Sequence, residues 1–382
     1  MMLRIKYLAE KIVAALLLVF RIFPLKKRVI FSSFSGRQYS DSPRAISDYI
    51  LENCPDIEIV WAFLEPDKFA FDNKAIKKVK YKSLGYIYYA LTSRVYVDNV
   101  EIWSALRFRK GQTVIQTWHG GGAYKRVGTD RLDVSDFHKK HSVHKMNRMN
   151  IFLSSGRAFT EKVIRGAFDF SGEVLEIGLP RNDRLKKFSS SDIEVIKSKL
   201  GVNADTKLAI YAPTFRNSLE LSPYTLDIEK LSCALREKFG GEWTVLLRLH
   251  YYMGNKTFIS SAKNTIDVTD YPDMQELLLA SDLLITDYSS SMWDFSLMYK
   301  PCFLYAVDIN EYCGERDFYT KPESWPFPMA YDNDSLCKNI TDFNLEEYVK
   351  KVAIHHKELG SSESGIATKI ISERIFKTLN DL

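Results

Sequence analysis

Asp282-Leu-Leu-Ile-Thr-Asp-Tyr-Ser-Ser-Ser291 runs directly into Met292-Trp-Asp-Phe-Ser-Leu-Met-Tyr299. A short apolar run that ends in polar residues and passes into helical spacing reads as a buried strand, a tight turn and a helix. The first backbone N–H groups of such a helix lack intrahelical partners, and the positive end of its dipole points the same way. Ser289, Ser290 and Ser291 would line that start with hydroxyls, a pattern suited to phosphate. Three N-capping serines with no ligand give the same pattern, so the rest of the chain has to separate the two readings.

Working outward, short apolar runs alternate with helical patterns along the whole sequence. Arg28–Ser33, Ile57–Phe63, Arg94–Asp98, Thr113–Trp118 and Ile151–Ser154 read as strands, with helices over Arg44–Asn53 and Ser83–Leu91 between them. The pattern then restarts with Lys207–Ala212, Trp243–Leu249, Thr265–Val268, Leu283–Thr286 and Cys302–Ala306. Alternation of this kind predicts an α/β protein with two doubly wound parallel sheets. The polar, charged segment from Leu185 to Asp205 separates them. The expected organisation is an N-terminal segment 1–27, a first domain 28–190, a second domain 205–343 and a C-terminal helical segment 344–382.

Ligands of doubly wound sheets sit beyond the carboxyl ends of the strands, and the polar residues of this chain gather there. Trp118-His119-Gly-Gly-Gly122 follows the fourth strand, with Lys125 and Arg126 just beyond. A histidine on such a glycine loop can act as a general base near neutral pH, although a lone one can also simply cap a turn. In the second half, Tyr211-Ala-Pro-Thr-Phe-Arg216, Leu247-Arg-Leu-His250, Val268-Thr-Asp270 and Asp287-Tyr-Ser-Ser290 all end strands. Arginine, histidine and serines at neighbouring strand ends can converge on one diphosphate.

The bulk properties agree with an ordered, two-domain protein. The chain has 382 residues, 46% hydrophobic content and a formal net charge of +5, too long for one ordinary core and too apolar for disorder. The mild charge permits an anionic partner without pointing to nucleic acid. Cys54, Cys233, Cys302, Cys313 and Cys337 are scattered and include no C-x-x-C pair, which fits a reducing compartment better than a disulfide framework. The N-terminus carries a separate signal. Ile12-Val-Ala-Ala-Leu-Leu-Leu-Val-Phe20 lies between Arg4, Lys6 and Lys11 on one side and Arg21, Lys26, Lys27 and Arg28 on the other. It is short for a membrane span, and Pro24 with a basic cluster follows where a signal peptide would carry small residues. An amphipathic helix lying on an anionic leaflet is the expectation; a core helix of the first domain is the alternative.

Two further clusters carry less weight. His138, His141 and His144, spaced by three among Lys139, Lys140, Lys145 and Arg148, would share a helix face. A solvated basic face, able to meet a phosphate-bearing acceptor, outweighs zinc binding there, because no thiolate is near. Asp332-Asn-Asp334 has an acid-x-acid form but lies past the last phosphate-like turn, so no metal site is assigned.

Taken together, Gln116-Thr-Trp-His-Gly120, Gly178-Leu-Pro-Arg-Asn-Asp183, Tyr211-Ala-Pro-Thr-Phe-Arg216, Arg248-Leu-His250 and Asp287-Tyr-Ser-Ser290-x-x-x-Asp294-Phe resemble the CDP-glycerol glycerophosphotransferase family, which contains teichoic acid primases and polymerases. Pro301, Tyr305, Asp308, Tyr312, Arg316 and Phe318-Tyr319 extend the match. The resemblance implies a GT-B fold with its two domains facing a cleft. It also implies transfer of a polyol phosphate, glycerol phosphate first, from CDP-glycerol or CDP-ribitol, with release of CMP. The acceptor would be a lipid-linked glycan or a polyol-phosphate chain at the cytoplasmic face of the membrane, in teichoic acid or capsule synthesis. Carried over by position, His119 would be the base. His250 would be the second catalytic residue and, with Arg216, Ser289 and Ser290, would hold the donor pyrophosphate, while Asp287 and Arg316 would line the donor pocket. Lys125 and Arg126 are the acceptor-side candidates. No dedicated metal ligands are implied; a magnesium ion could still assist the pyrophosphate.

Gly-Gly-Gly-Ala-Tyr-Lys125 after His119, and Asp317 after Arg316, depart from the family pattern. The first loosens what the resemblance says of acceptor and polyol; with the long N-terminal extension of the larger polymerases also missing from this sequence, the expectation is a single-addition or capsule-type transferase over a processive polymerase. A nucleotide-sugar glycosyltransferase and a non-catalytic nucleotide-binding subunit remain the alternatives, separable by the nucleotide released and by the effect of His119→Ala.

Overall fold

The computed structural model of the chain describes residues 10–71, 75–214, 225–249, 264–315 and 317–381. Two sheets organise it. The first contains β1 (Lys26–Ser32), β2 (Glu58–Phe63), β3 (Ile76–Lys80), β4 (Ser93–Asp98), β5 (Thr113–Gln116), β6 (Ile151–Ser154) and β7 (Glu173–Glu176). The second contains β8 (Lys207–Tyr211), β9 (Trp243–Leu247), β10 (Thr265–Asp267), β11 (Leu283–Thr286), β12 (Cys302–Tyr305) and β13 (Met329–Ala330). Their orders are β3-β2-β1-β4-β5-β6-β7 and β10-β9-β8-β11-β12-β13, and every strand pairing is parallel.

Central strands such as Val-Ile-Phe31 and Leu-Leu-Ile285 are buried on both faces, because helices cover both sides of each sheet. Both strand orders reverse direction after their first strand, between β1 and β4 and between β8 and β11. The carboxyl ends of those strands are where such sheets hold ligands.

The two halves are interwoven. The helix Leu345–Glu358 packs Tyr348 and Val352 into the second core. The closing helix Ala367–Asn380 instead returns to the first sheet, burying Ile371, Ile375 and Leu379 beside Val29, Ile46 and Val95. Asp183 receives the opening backbone N–H groups of that helix, from Ala367 at 3.1 Å and Thr368 at 2.7 Å, a capping role for a carboxylate.

Residues 10–16 are helical and run into a 3-10 turn, Leu17–Ile22. Leu17 joins the first core with Val13 and Phe20 packed against it, and Ala14 is buried, whereas Ile12, Leu16, Val19 and Ile22 are exposed, Ile22 to 75%. Among the described residues, no helix is long and apolar enough to cross a membrane.

Candidate active site

His119 stands three residues beyond Gln116, the last paired residue of β5, and the local sequence fixes its ring. Gln116 Oε1 accepts a 2.8 Å bond from the Trp118 N–H while its amide donates to the Val100 carbonyl, also at 2.8 Å. This holds Trp118 at a φ of 54°, a left-handed backbone that an isolated tryptophan rarely adopts. The imidazole then lies against the Trp118 indole, centroids 4.5 Å apart, and near Phe34. Its Nδ1 is 2.8 Å from the Asn99 carbonyl oxygen. A carbonyl can only accept, so Nδ1 carries the proton and Nε2 keeps its lone pair. Burial holds the His119 pKa below the ordinary histidine value, and the positive charges of Arg181 and Lys125 push the same way. The Asn99 bond and Asp41 oppose that shift.

Asn99 is itself locked at the end of β4. Its side chain accepts from the Phe34 N–H at 2.8 Å and donates to Ser33 Oγ at 3.3 Å. Next to it, Asp98 accepts from the Val100 N–H and the Tyr96 hydroxyl.

The glycines after His119 exist because this loop presses on the second half. A Cβ on Gly121 would lie 2.4 Å from Trp293 Cδ1, and one on Gly120 would lie 3.1 Å from Ser290 Oγ. Further along, the Tyr124 carbonyl accepts from Tyr319 N–H at 2.8 Å, and the Tyr124 hydroxyl meets His355 Nε2 at 2.9 Å. The loop therefore belongs to both cores.

A pocket of about 340 Å³ opens between the carboxyl ends of the two sheets. Phe34 and Asp41 after β1 and His119 after β5 line one side. Pro213 after β8, Arg248 after β9 and Ser289 and Ser290 after β11 line the other. Distant segments thus meet at one mouth, with the reversal points of both sheets contributing.

The other predicted residues fall as follows. Asp287 is buried beneath the serine turn rather than on this pocket wall; its carboxylate accepts from Thr214 N–H at 2.9 Å and from the N–H of Tyr288. Its observed contacts brace the loop leaving β8. Asp270, expected at the same mouth, is exposed and outside the lining. Arg248 lines the pocket while Nη1 donates to the carbonyls of Val268 at 2.6 Å and Thr269 at 2.7 Å. Lys125 and Arg126 lie past His119, along a separate pocket. Arg216, His250 and Arg316 lie outside the described residues. Asp332 caps the helix Asn333–Thr341 through the Ser335 N–H, and Asp334 pairs with Lys230 at 2.8 Å. Among the described residues, no group of three or more metal-ligating side chains is present.

Strand-end reasoning did not isolate the polar network that joins the halves. Arg181 Nε and Nη2 donate to the two Asp294 oxygens at 3.1 and 3.2 Å, and Nη1 donates to Asp41 at 3.1 Å. Asn182 and Gln275 donate to the same Asp294 carboxylate at 2.9 and 3.0 Å. Asp294 sits on the helix Ser291–Ser296, so this bidentate pair ties the serine turn to the first half. The signal was available in Leu-Pro-Arg-Asn-Asp183 and Asp294, but only as parts of a motif and not as partners.

Fold and pocket define an α/β protein in which two parallel sheets converge on a histidine and a serine turn. Residues 15–377 match the model of the CDP-glycerol:poly(glycerophosphate) glycerophosphotransferase family, and the chain belongs to that family. A teichoic acid poly(glycerol phosphate) polymerase of Staphylococcus epidermidis is 33% identical over 371 residues, covering 93% of this chain but 51% of that protein. The chain therefore spans about half of that relative. The polymerase of the same description from Bacillus spizizenii is 30% identical, with 94% of this chain and 95% of the relative covered. A solved structure of the wall teichoic acid polymerase TagF, a variant soaked with CDPG, superposes with a TM-score of 0.86 at 31% identity, covering 97% of this chain and 94% of that one.

Proposed function

We propose that this protein transfers glycerol phosphate from CDP-glycerol to the hydroxyl of a membrane-linked acceptor in teichoic acid or capsule synthesis, releasing CMP. The observation that carries the reading is that His119 and the Ser289–Ser290 turn line one pocket between the two sheets. In a GT-B arrangement, the half built on residues 28–190 takes the acceptor and the half built on 205–343 takes the donor across the cleft. The acceptor hydroxyl attacks the β-phosphorus while His119 Nε2 takes its proton. The bond from that phosphorus to the bridging oxygen breaks, and CMP leaves. Ser289 and Ser290 hold the diphosphate, together with Arg216 and His250, and Arg316 completes the donor side; these last three are assigned by resemblance alone. Asp287 supports the donor side by bracing the loop at Thr214. Lys125 and Arg126 serve the acceptor.

Phosphoryl transfer depends on alignment and charge neutralisation more than on covalent participation by the protein. The reading needs no resident metal; a magnesium ion would act with the diphosphate. The exposed apolar face of residues 12–22 lies on the cytoplasmic leaflet and makes the protein peripheral.

A donor screen tests this. CDP-glycerol, CDP-ribitol and UDP-sugars are each incubated with a lipid-linked acceptor, and the released nucleotide is identified by mass. CMP from CDP-glycerol is expected; UDP from a UDP-sugar would make the protein a glycosyltransferase instead. His119→Ala should lower turnover by about two to four orders of magnitude while CDP-glycerol still binds. Unchanged turnover would remove His119 from its role.

A further inference from the structure

The loop from β1 to the helix Asp41–Asn53 carries an unusual backbone. Phe34, Ser35 and Gly36 take φ values of 46°, 57° and 82° in succession, and Asp41 takes 64°. Left-handed backbone is uncommon outside glycine, and a bulky residue keeps it only where the surroundings impose it. Here they do. Asn99 Oδ1 accepts from the Phe34 N–H at 2.8 Å, and the Leu64 N–H donates to the Gly36 carbonyl, also at 2.8 Å. Asp41 Oδ2 accepts from Arg181 Nη1 at 3.1 Å, and Oδ1 accepts from the Ser42 N–H. Asn99 is shared: its side chain fixes this loop while its backbone carbonyl orients the His119 ring. Loop and imidazole are therefore held in register. Gln38, Ser40 and Asp41 line the same pocket as His119, on the wall facing Ser289 and Ser290. Ser40 Oγ donates to Gln38 Oε1 at 2.9 Å, which occupies the carbonyl end of that side chain and leaves its amide N–H groups to donate elsewhere.

We propose that this loop selects the polyol of the donor: the Gln38 amide donates to one hydroxyl of the glycerol unit being transferred, and the Asp41 carboxylate accepts from the neighbouring one. The inference rests on the transferase reading and deepens it by naming residues that decide which polyol is accepted. A neutral amide beside a carboxylate suits a vicinal diol, which can accept at one oxygen and donate from the next; it does not suit phosphate oxygens, which only accept. The carboxylate oxygens keep lone pairs after their bonds to Arg181 and Ser42. Arg181 also offsets the Asp41 charge, so a carboxylate can stand next to a transferring phosphate. The polyol is joined through one oxygen to the phosphorus that is attacked. With the diphosphate on the serine turn, that unit falls on the first-half wall beside His119, where Gln38 and Asp41 stand.

The test is calorimetric titration of the full chain with four probes. These are CDP-glycerol, the CDP ester of propane-1,2-diol at its primary oxygen (no terminal hydroxyl), the CDP ester of propane-1,3-diol (no central hydroxyl), and CDP itself. Wild-type protein should bind CDP-glycerol about tenfold or more tighter than either deoxy ester, because each missing hydroxyl leaves a polar group of the loop unpaired. Gln38→Met should weaken CDP-glycerol by a similar factor and erase the discrimination against one of the two esters; Asp41→Asn should do the same for the other. Affinity for CDP, which has no polyol, should stay at the wild-type value in both variants and so report an intact donor side. Wild-type protein that binds CDP-glycerol and both deoxy esters alike overturns the inference, and this comparison needs no variant to fold. Variants that keep the full wild-type discrimination overturn it as well. Discrimination that the variants erase, without CMP release in the donor screen, would instead overturn the transferase reading and leave the polyol site standing. Protein that binds none of the CDP esters removes both.

Discussion

His119 Nδ1 lies 2.8 Å from the carbonyl oxygen of Asn99, joining the turn after β5 to the end of β4. The main chain thereby chooses the tautomer, and no side-chain substitution at position 99 removes that acceptor. An imidazole oriented this way leaves Nε2 as the proton-accepting nitrogen in its neutral form, as the proposed role of His119 requires.

The pH profile follows from the same geometry. Only neutral His119 can act as base, so turnover falls as pH drops through its pKa. Burial, reinforced by Arg181 and Lys125, lowers that pKa, which moves the acid limb below the ordinary histidine range. Kcat measured across pH should stay high into mildly acidic solution. An acid limb at or above the usual histidine pKa would contradict the neutral, buried assignment.

Gly121→Ala should act on both halves at once. Its Cβ would overlap the Trp293 indole, and overpacking a filled contact costs about 1–3 kcal/mol. A fall in denaturation midpoint together with reduced kcat is expected, because the loop carrying His119 must lift away from the helix after Ser290. Wild-type stability and rate would show that the contact is slack.

Arg181→Met tests the link between halves. The arginine and Asp294 are both buried, at 3% and 6% side-chain exposure. Removing one member of such a pair leaves a buried charge and costs about 3–5 kcal/mol. Urea unfolding should show the loss. A change well under 1 kcal/mol would mean that the network contributes little.

Membrane attachment is tested on the exposed face alone. A deletion of residues 1–28 would remove Arg28, which is buried and bonds Glu58 at 2.8 Å, so it would damage β1 as well. Replacing Ile12, Leu16, Val19 and Ile22 by serine spares Val13, Leu17 and Phe20, which pack inward. Flotation with anionic liposomes should drop about tenfold or more. Undiminished flotation would place attachment elsewhere.

Much of the fold can be read directly in the sequence, for identifiable reasons. Leu283–Thr286 and Ile151–Ser154 are continuous apolar runs because helices cover both faces of their sheets. The strands that escape notice are at the edges. β3 reads Ile-Lys-Lys-Val-Lys80, and β7 begins and ends in exposed glutamates. Charge on an edge strand discourages further pairing, and it also erases the apolar signal. That His119, Ser289 and Ser290 line one pocket is legible because strand ends in doubly wound sheets open onto the crevice between the halves. Position at a strand end does not give side-chain direction, which is why Asp287 proves to be bonded to Thr214 beneath the turn. The Arg181–Asp294 pair spans 113 residues of chain; no local pattern encodes a contact at that separation. The return of Ala367–Asn380 to the first sheet is hidden for the same reason: its amphipathic spacing shows a buried face without saying against which core.

A structure of the protein soaked with CDP-glycerol is the most direct test. The diphosphate should lie within hydrogen-bonding distance of the Ser289 and Ser290 hydroxyls, with the β-phosphorus facing His119 across the pocket. A donor bound on another surface, or with its diphosphate turned away from both the serines and the imidazole, would contradict the proposed chemistry.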